Sequence, residues 1–167
     1  IAYELVGAGT VVTGTGSGSV VEGITAQYVI PANLLQAGTT IRVRYMVTAT
    51  QLNTGDSIAP KLHLGSTGTT SDTAILTQAA GTVTTANLNA IGEMVLVVQA
   101  APGGSVAIVG NGWYVNYGAT GGSVLSNYLN STTFATNAPL YLTLGIVPSS
   151  TSASNKSNAQ TFEVTIS

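Results

Sequence analysis

Between residues 39 and 50 the chain alternates. Ile41, Val43, Tyr45 and Val47 take every second position, and Arg42 and Arg44 fall between them. A period of two is that of a strand, whose successive side chains point to opposite faces. The pattern recurs at residues 58–64, where Ile58, Pro60, Leu62 and Leu64 oppose Lys61 and His63. At residues 92–98, Met94, Leu96 and Val98 oppose Glu93, Val95 and Val97; at residues 161–166, Phe162, Val164 and Ile166 oppose Glu163 and Thr165. Each run predicts a strand with one face in a core. Val95 and Val97 make their strand apolar on both faces, so it is either central in its sheet or covered by a partner chain.

Weaker alternations bring the total to about nine strands, near 3–6, 10–15, 24–30, 39–50, 57–65, 73–77, 91–101, 105–117, 140–148 and 160–166, the first two reading equally as one. Glycine- or proline-containing connections separate them, as in the Ala-Pro-Gly-Gly of residues 101–104. Many short strands between such turns predict an all-β fold, a jelly-roll-like sandwich of about 8–10 antiparallel strands. The helical signal is confined to residues 33–37, with Asn33 placed to cap a turn and Gly38 to end it. Residues 118–137 and 149–158 read as long polar loops, and "GTGSGS" at 14–19 as linker-like.

Composition narrows the function classes. A chain of 167 residues is long enough for one domain with a full core. The absence of cysteine removes disulfides, thiolate metal sites and cysteine nucleophiles. Only 6% of residues are charged, against about 25% in an ordinary soluble domain. The polar surface must therefore come from Ser, Thr, Asn and Gly, which suits a packed subunit or a secreted protein better than a free cytosolic enzyme. A net charge of −2 offers no footprint for nucleic acid or anionic membrane. No stretch approaches the ~20 apolar residues of a membrane span. No secretion signal is read at the N-terminus, and a chain beginning at Ile1 is read as a processed product or a fragment.

Candidate chemistry is sparse. The sole histidine, His63, lies on a strand beside Lys61 with no nearby nucleophile or ligand spacing. Glu4, Glu22, Asp56, Asp72, Glu93 and Glu163 are scattered singly, with no local calcium, zinc or paired acid–base spacing. Asp56 reads as a turn residue. "GNGWYVNYG" at 110–118 holds a G-x-G inside a strand pattern, without the third glycine or the helix of a dinucleotide site, and "GTGSG" at 14–18 lacks the following Lys-Ser of a phosphate loop. No catalytic residue, metal or cofactor is expected. The aromatics say more. Trp113, Tyr114, Tyr117, Tyr128 and Phe134 cluster in one stretch, and aromatics on glycine- and asparagine-rich segments anchor protein interfaces and sugar platforms. Against that, Trp113 or Tyr114 fills the core by simple alternation. Arg42 and Arg44 complete the candidate interface set. They read either as solvated residues that keep a strand soluble or as partners of a carboxylate such as Glu93 or Glu163 on a neighbouring subunit.

Four stretches in order, "IPANLLQAGTTIRVRYMVTAT", "IAPKLHLGSTGT", "MVLVVQAAPGGSVAIVGNGWYVNYG" and "LYLTLGIVPSSTSASNKSNAQTFEVTIS", resemble a structural domain of tailed-phage virions. The likeness covers residues 25–167, leaving residues 1–24 as an N-terminal arm, or a first strand with a Gly/Ser-rich linker. The resemblance implies a jelly-roll sandwich of the capsid decoration (cement), head-fibre or tail-fibre type, commonly trimeric, with no catalytic residues. It also implies a virion location after assembly in the host cytoplasm, and the major capsid protein or other virion proteins as partners. A receptor-binding fibre tip touching host glycan or protein through Tyr117 and Tyr128 is the alternative. A glycan depolymerase would require paired carboxylates in a groove.

Overall fold

The computed structural model describes residues 2–6, 9–13, 21–50, 56–82, 88–117, 125–149 and 155–167. The strands are β1 (Ala2–Val6), β2 (Val12–Thr13), β3 (Gly23–Ile30), β4 (Thr40–Thr50), β5 (Ser57–Gly65), β6 (Thr73–Thr77), β7 (Gly81–Thr82), β8 (Leu88–Val98), β9 (Val106–Tyr117), β10 (Leu125–Phe134), β11 (Leu140–Pro148) and β12 (Lys156–Ile166). No helix occurs among the described residues.

Two antiparallel sheets form a sandwich. One has the order β1-β12-β4-β8-β9-β10, with β2 also on β12; the other has the order β3-β11-β5-β6, with β7 on β5. The alternating positions supply the space between them. Ile41, Val43 and Val47 of β4, Leu62 and Leu64 of β5, Leu142, Leu144 and Ile146 of β11 and Phe162 of β12 are all fully buried. Each such side chain contributes about 1.5–3 kcal/mol relative to exposure.

The pairing is that of a jelly roll. Taking β1, β3, β4, β5, β6, β8, β11 and β12 as eight consecutive strands, the first pairs the last (β1·β12), the second the seventh (β3·β11), the third the sixth (β4·β8) and the fourth the fifth (β5·β6). This is a ribbon of antiparallel pairs, folded over so that β12 also meets β4 and β11 also meets β5. Such closure leaves two sheets from two interlocked Greek keys. The pair β9–β10 is surplus to that scheme. It extends the larger sheet beyond β8, and so makes β8 a central strand.

Three local expectations are corrected. Residues 33–37 form no helix. Instead, two β-turns follow one another, closed by Leu34 N–H to Pro31 O and Thr39 N–H to Gln36 O. Their third residues, Asn33 and Gly38, carry the positive φ values of 62° and 84°, a conformation that Asn and Gly tolerate best. The loop expected at 118–137 contains β10. There the register shifts between Leu129 and Thr132, so the core-facing Leu129 and Phe134 stand five residues apart and escape a strict period of two. The loop expected at 149–158 gives way to β12 at Lys156.

A buried polar network ties the sheets together. The Tyr45 hydroxyl donates to Gln78 Oε1 at 3.0 Å, Gln78 Nε2 donates to Asn116 Oδ1 at 2.5 Å, and the Ala79 N–H donates to the Tyr114 oxygen at 2.9 Å. The Tyr45 ring lies across Gly92 of β8, where any β-carbon would collide with it. Burial pushes the Tyr45 phenol pKa up, with the Tyr114 phenol adding to the effect.

Candidate functional site

Three of the candidate residues, Arg42, Arg44 and Trp113, share the outer face of the larger sheet with Glu93. Strand register aligns Glu163 of β12, Arg44 of β4, Glu93 of β8 and Trp113 of β9 in one cross-strand row. Glu93 accepts from Arg44 Nε at 2.6 Å and faces the Arg42 guanidinium at 3.3 Å, one oxygen for each. The arginines therefore meet a carboxylate of their own chain. Their side chains remain 51% and 54% exposed while that of Glu93 is 11% exposed. The hydrogen bond and charge of Glu93 push the Arg44 pKa further up, and Glu163 adds to this.

Beside the charged row the face is apolar. Val95 and Val97 of β8 and Val109 of β9 border a hollow of about 290 Å³. Trp113 is 39% exposed and borders two further hollows of about 260 Å³ each. One is shared with Arg44, Met46 and Glu163, the other with Val95 and Asn111. Alternation along β9 places Trp113 outward and Tyr114 inward. Gly110 and Gly112 take inward positions, where a β-carbon would meet Leu96 and Met94 of β8. The G-x-G of this stretch is thus a packing device.

Of the other candidates, Tyr114 and Phe134 are 6% and 7% exposed and face the core. Tyr117 is the last residue of β9, opposite Asn89 of β8, and Tyr128 lies within β10, opposite Asn111 of β9; their side chains lie outside the described residues. Among the described residues no group of three or more acidic or histidine side chains is placed to hold a metal ion. Glu93 and Glu163 do line one hollow. Arg44 stands between them in the row, and both Glu93 oxygens are taken by guanidinium groups.

Sequence reasoning missed a second cluster, on the outer face of the smaller sheet. His63 is 2% exposed although it lies opposite the core-facing Leu62 and Leu64. Glu22, from the segment before β3, reaches both His63 and Lys61. The available signal was the i, i+2 placement of two bases on one strand of a charge-poor chain, which calls for a carboxylate above them.

No family model matches the chain, and no curated protein matches it. Among solved structures, the chain is similar to a chain in the structure of the infectious bursal disease virus Gx strain (13% identity, TM-score 0.44), covering 99% of this chain and 32% of that one. It is also similar to the VP2 subviral particle of that virus (11% identity, TM-score 0.44), covering 98% of this chain and 32% of that one. The chain thus spans about a third of the length of those proteins. Likeness at this level assigns neither a family nor a role.

Proposed function

We propose that this chain is a non-enzymatic structural protein of a phage virion, which decorates and cements the capsid. The observation that carries the reading is the surplus β9–β10 pair. It widens the larger sheet beyond what the jelly roll needs, and it presents Trp113 and Val109 outward beside Val95, Val97, Arg42 and Arg44. Tryptophan and arginine are the side chains most enriched at energetic centres of interfaces, and a central strand with apolar residues on its outer face asks for a cover. The motif resemblance and the 6% charge content point the same way. Neighbouring virion proteins, the major capsid protein among them, and further copies of this chain in a trimer are the proposed occupants. Contacts made only in the assembled particle stabilise that particle by mass action.

The test is heat resistance. Particles lacking the chain, or carrying Trp113→Ala, should release their genome at a lower temperature than complete particles. Equal release temperatures would overturn the reading.

A second reading, a fibre tip that touches host glycan, is favoured by one feature: an exposed indole between two polar-edged hollows, suited to stacking on a sugar ring. Under that reading Trp113→Ala, or Tyr117→Ala with Tyr128→Ala, abolishes adsorption to cells and leaves heat resistance intact.

A further inference from the structure

The smaller sheet's outer face holds a built ionic cluster that the structural role does not use. His63 Nε2 lies 2.6 Å from Glu22 Oε1, and His63 Nδ1 lies 2.9 Å from the backbone oxygen of Asp72. Lys61 Nζ lies 3.3 Å from the other Glu22 oxygen. The fold makes room for this. A β-carbon at Gly145 of β11 would collide with the Glu22 carboxylate, and one at Gly65 would collide with Asp72. The Asp72 carboxylate accepts from the Thr67 hydroxyl and the Gly68 N–H, which fixes the loop that offers its backbone oxygen to His63.

Both ring nitrogens of His63 therefore face acceptors. A neutral imidazole has a single N–H and satisfies one of them. The second contact requires one more proton, shared between Nε2 and Glu22. Without it, a nitrogen lone pair would oppose a carboxylate in a nearly closed site. The distance of 2.6 Å is short, just below the roughly 2.7–2.9 Å of charge-assisted N–H···O bonds. Glu22 immediately precedes β3, so this proton holds the chain's entry into the smaller sheet.

We propose that Glu22 and His63 form a pH-responsive latch, which clamps the segment entering β3 to the outer face of the smaller sheet and releases it when the shared proton is lost. The titratable groups facing His63 are Glu22 from that segment, Lys61 on its own strand and Asp72 from the loop before β6. Its neighbours on the flanking strands, Thr143 of β11 and Ala74 of β6, do not titrate. Burial disfavours the imidazolium, but the hydrogen bonds to Glu22 and Asp72 and the Glu22 charge outweigh both burial and Lys61, so the His63 pKa is raised. Burial likewise opposes the Glu22 carboxylate, and His63 and Lys61 outweigh it, so the Glu22 pKa is lowered. A raised base holds its stabilisation below its unfolded pKa and loses it as pH rises through the folded one; a lowered acid loses it as pH falls. The latch is closed in mildly acidic solution and opens as the pH rises through the raised His63 pKa.

The test uses the full chain and two measurements. The first is the NMR titration of the His63 ring, whose midpoint should lie above the ordinary ~6.5 and should fall in Glu22→Gln. The second is cleavage after Glu22 by a glutamate-specific protease, normalised to a free peptide of the same local sequence. Cleavage should rise severalfold between pH 6 and pH 8 in the parent chain and stay flat in His63→Gln. A His63 midpoint at or below the ordinary value, or the same pH dependence in parent and His63→Gln, would overturn the latch. If His63→Gln fails to fold, the titrations of the parent and Glu22→Gln still decide.

Discussion

The two outer faces of the sandwich carry the same motif in different surroundings. On the larger sheet, Arg42 and Arg44 at i, i+2 of β4 share Glu93. On the smaller sheet, Lys61 and His63 at i, i+2 of β5 share Glu22. In the first case the carboxylate comes from the adjacent strand and the bases stay half in water, so their attraction is screened and contributes little to folding. In the second, the carboxylate comes from outside the sheet and closes over a histidine whose side chain is 3% exposed. Burial turns a surface ion pair into a proton-dependent joint, because an unpaired charge there has no water to turn to. An open charged row can meet a partner, whereas a closed one fixes the chain's own path.

The largest expected effect breaks the buried member of the comparison. His63→Ala leaves Glu22 with Lys61 alone in a mostly buried site and should cost about 3 kcal/mol at pH 6, read from urea unfolding. The cost should shrink toward pH 8, because the parent itself loses the stabilisation as pH rises through the raised His63 pKa. A pH-independent cost would show that His63 acts by packing alone.

An intermediate effect is expected beneath the open row. Gly92→Ala forces the Tyr45 ring off its place and strains the hydrogen bond to Gln78, at a cost of about 2 kcal/mol typical of overpacking. If its thermal unfolding matched the parent's, the close Tyr45–Gly92 packing would have no energetic weight.

The smallest effect on folding is expected at the open face itself. Arg44→Ala and Trp113→Ala should leave the unfolding midpoint within error of the parent's, at 0.1 M and at 1 M salt alike. Both should weaken attachment of the chain to particles that lack it, measured by co-sedimentation. Destabilised chains with full attachment would reverse the assignment of the two faces.

Much of the fold is legible locally. The inward sets Ile41/Val43/Tyr45/Val47, Leu62/Leu64 and Phe162/Val164/Ile166 are all buried as their alternation requires, because the strand period is a property of neighbouring residues. Strand β10 was not legible, since its bulge breaks that period. The turn at residues 31–39 reads as helix-like in composition, yet Asn33 and Gly38 serve there as positive-φ turn residues. The Glu22–His63 pair could not be read from spacing, because its members are 41 residues apart and meet only when the Glu22 side chain reaches over Gly145 of β11 to β5.

By itself, then, the sequence determined which residues alternate, that β8 is apolar on both faces, and that the few charges leave a surface of Ser, Thr, Asn and Gly. It also determined that Trp113 and Tyr114 face opposite ways. Only the tertiary structure decided which of the two points into the core. A strand's alternation has two equivalent settings. The choice is made by what the neighbouring strand brings: here Leu96 and Met94 fill the space over Gly110 and Gly112. That places Tyr114 inside with them and leaves the indole of Trp113 on the outer face, beside Glu93 and its two arginines.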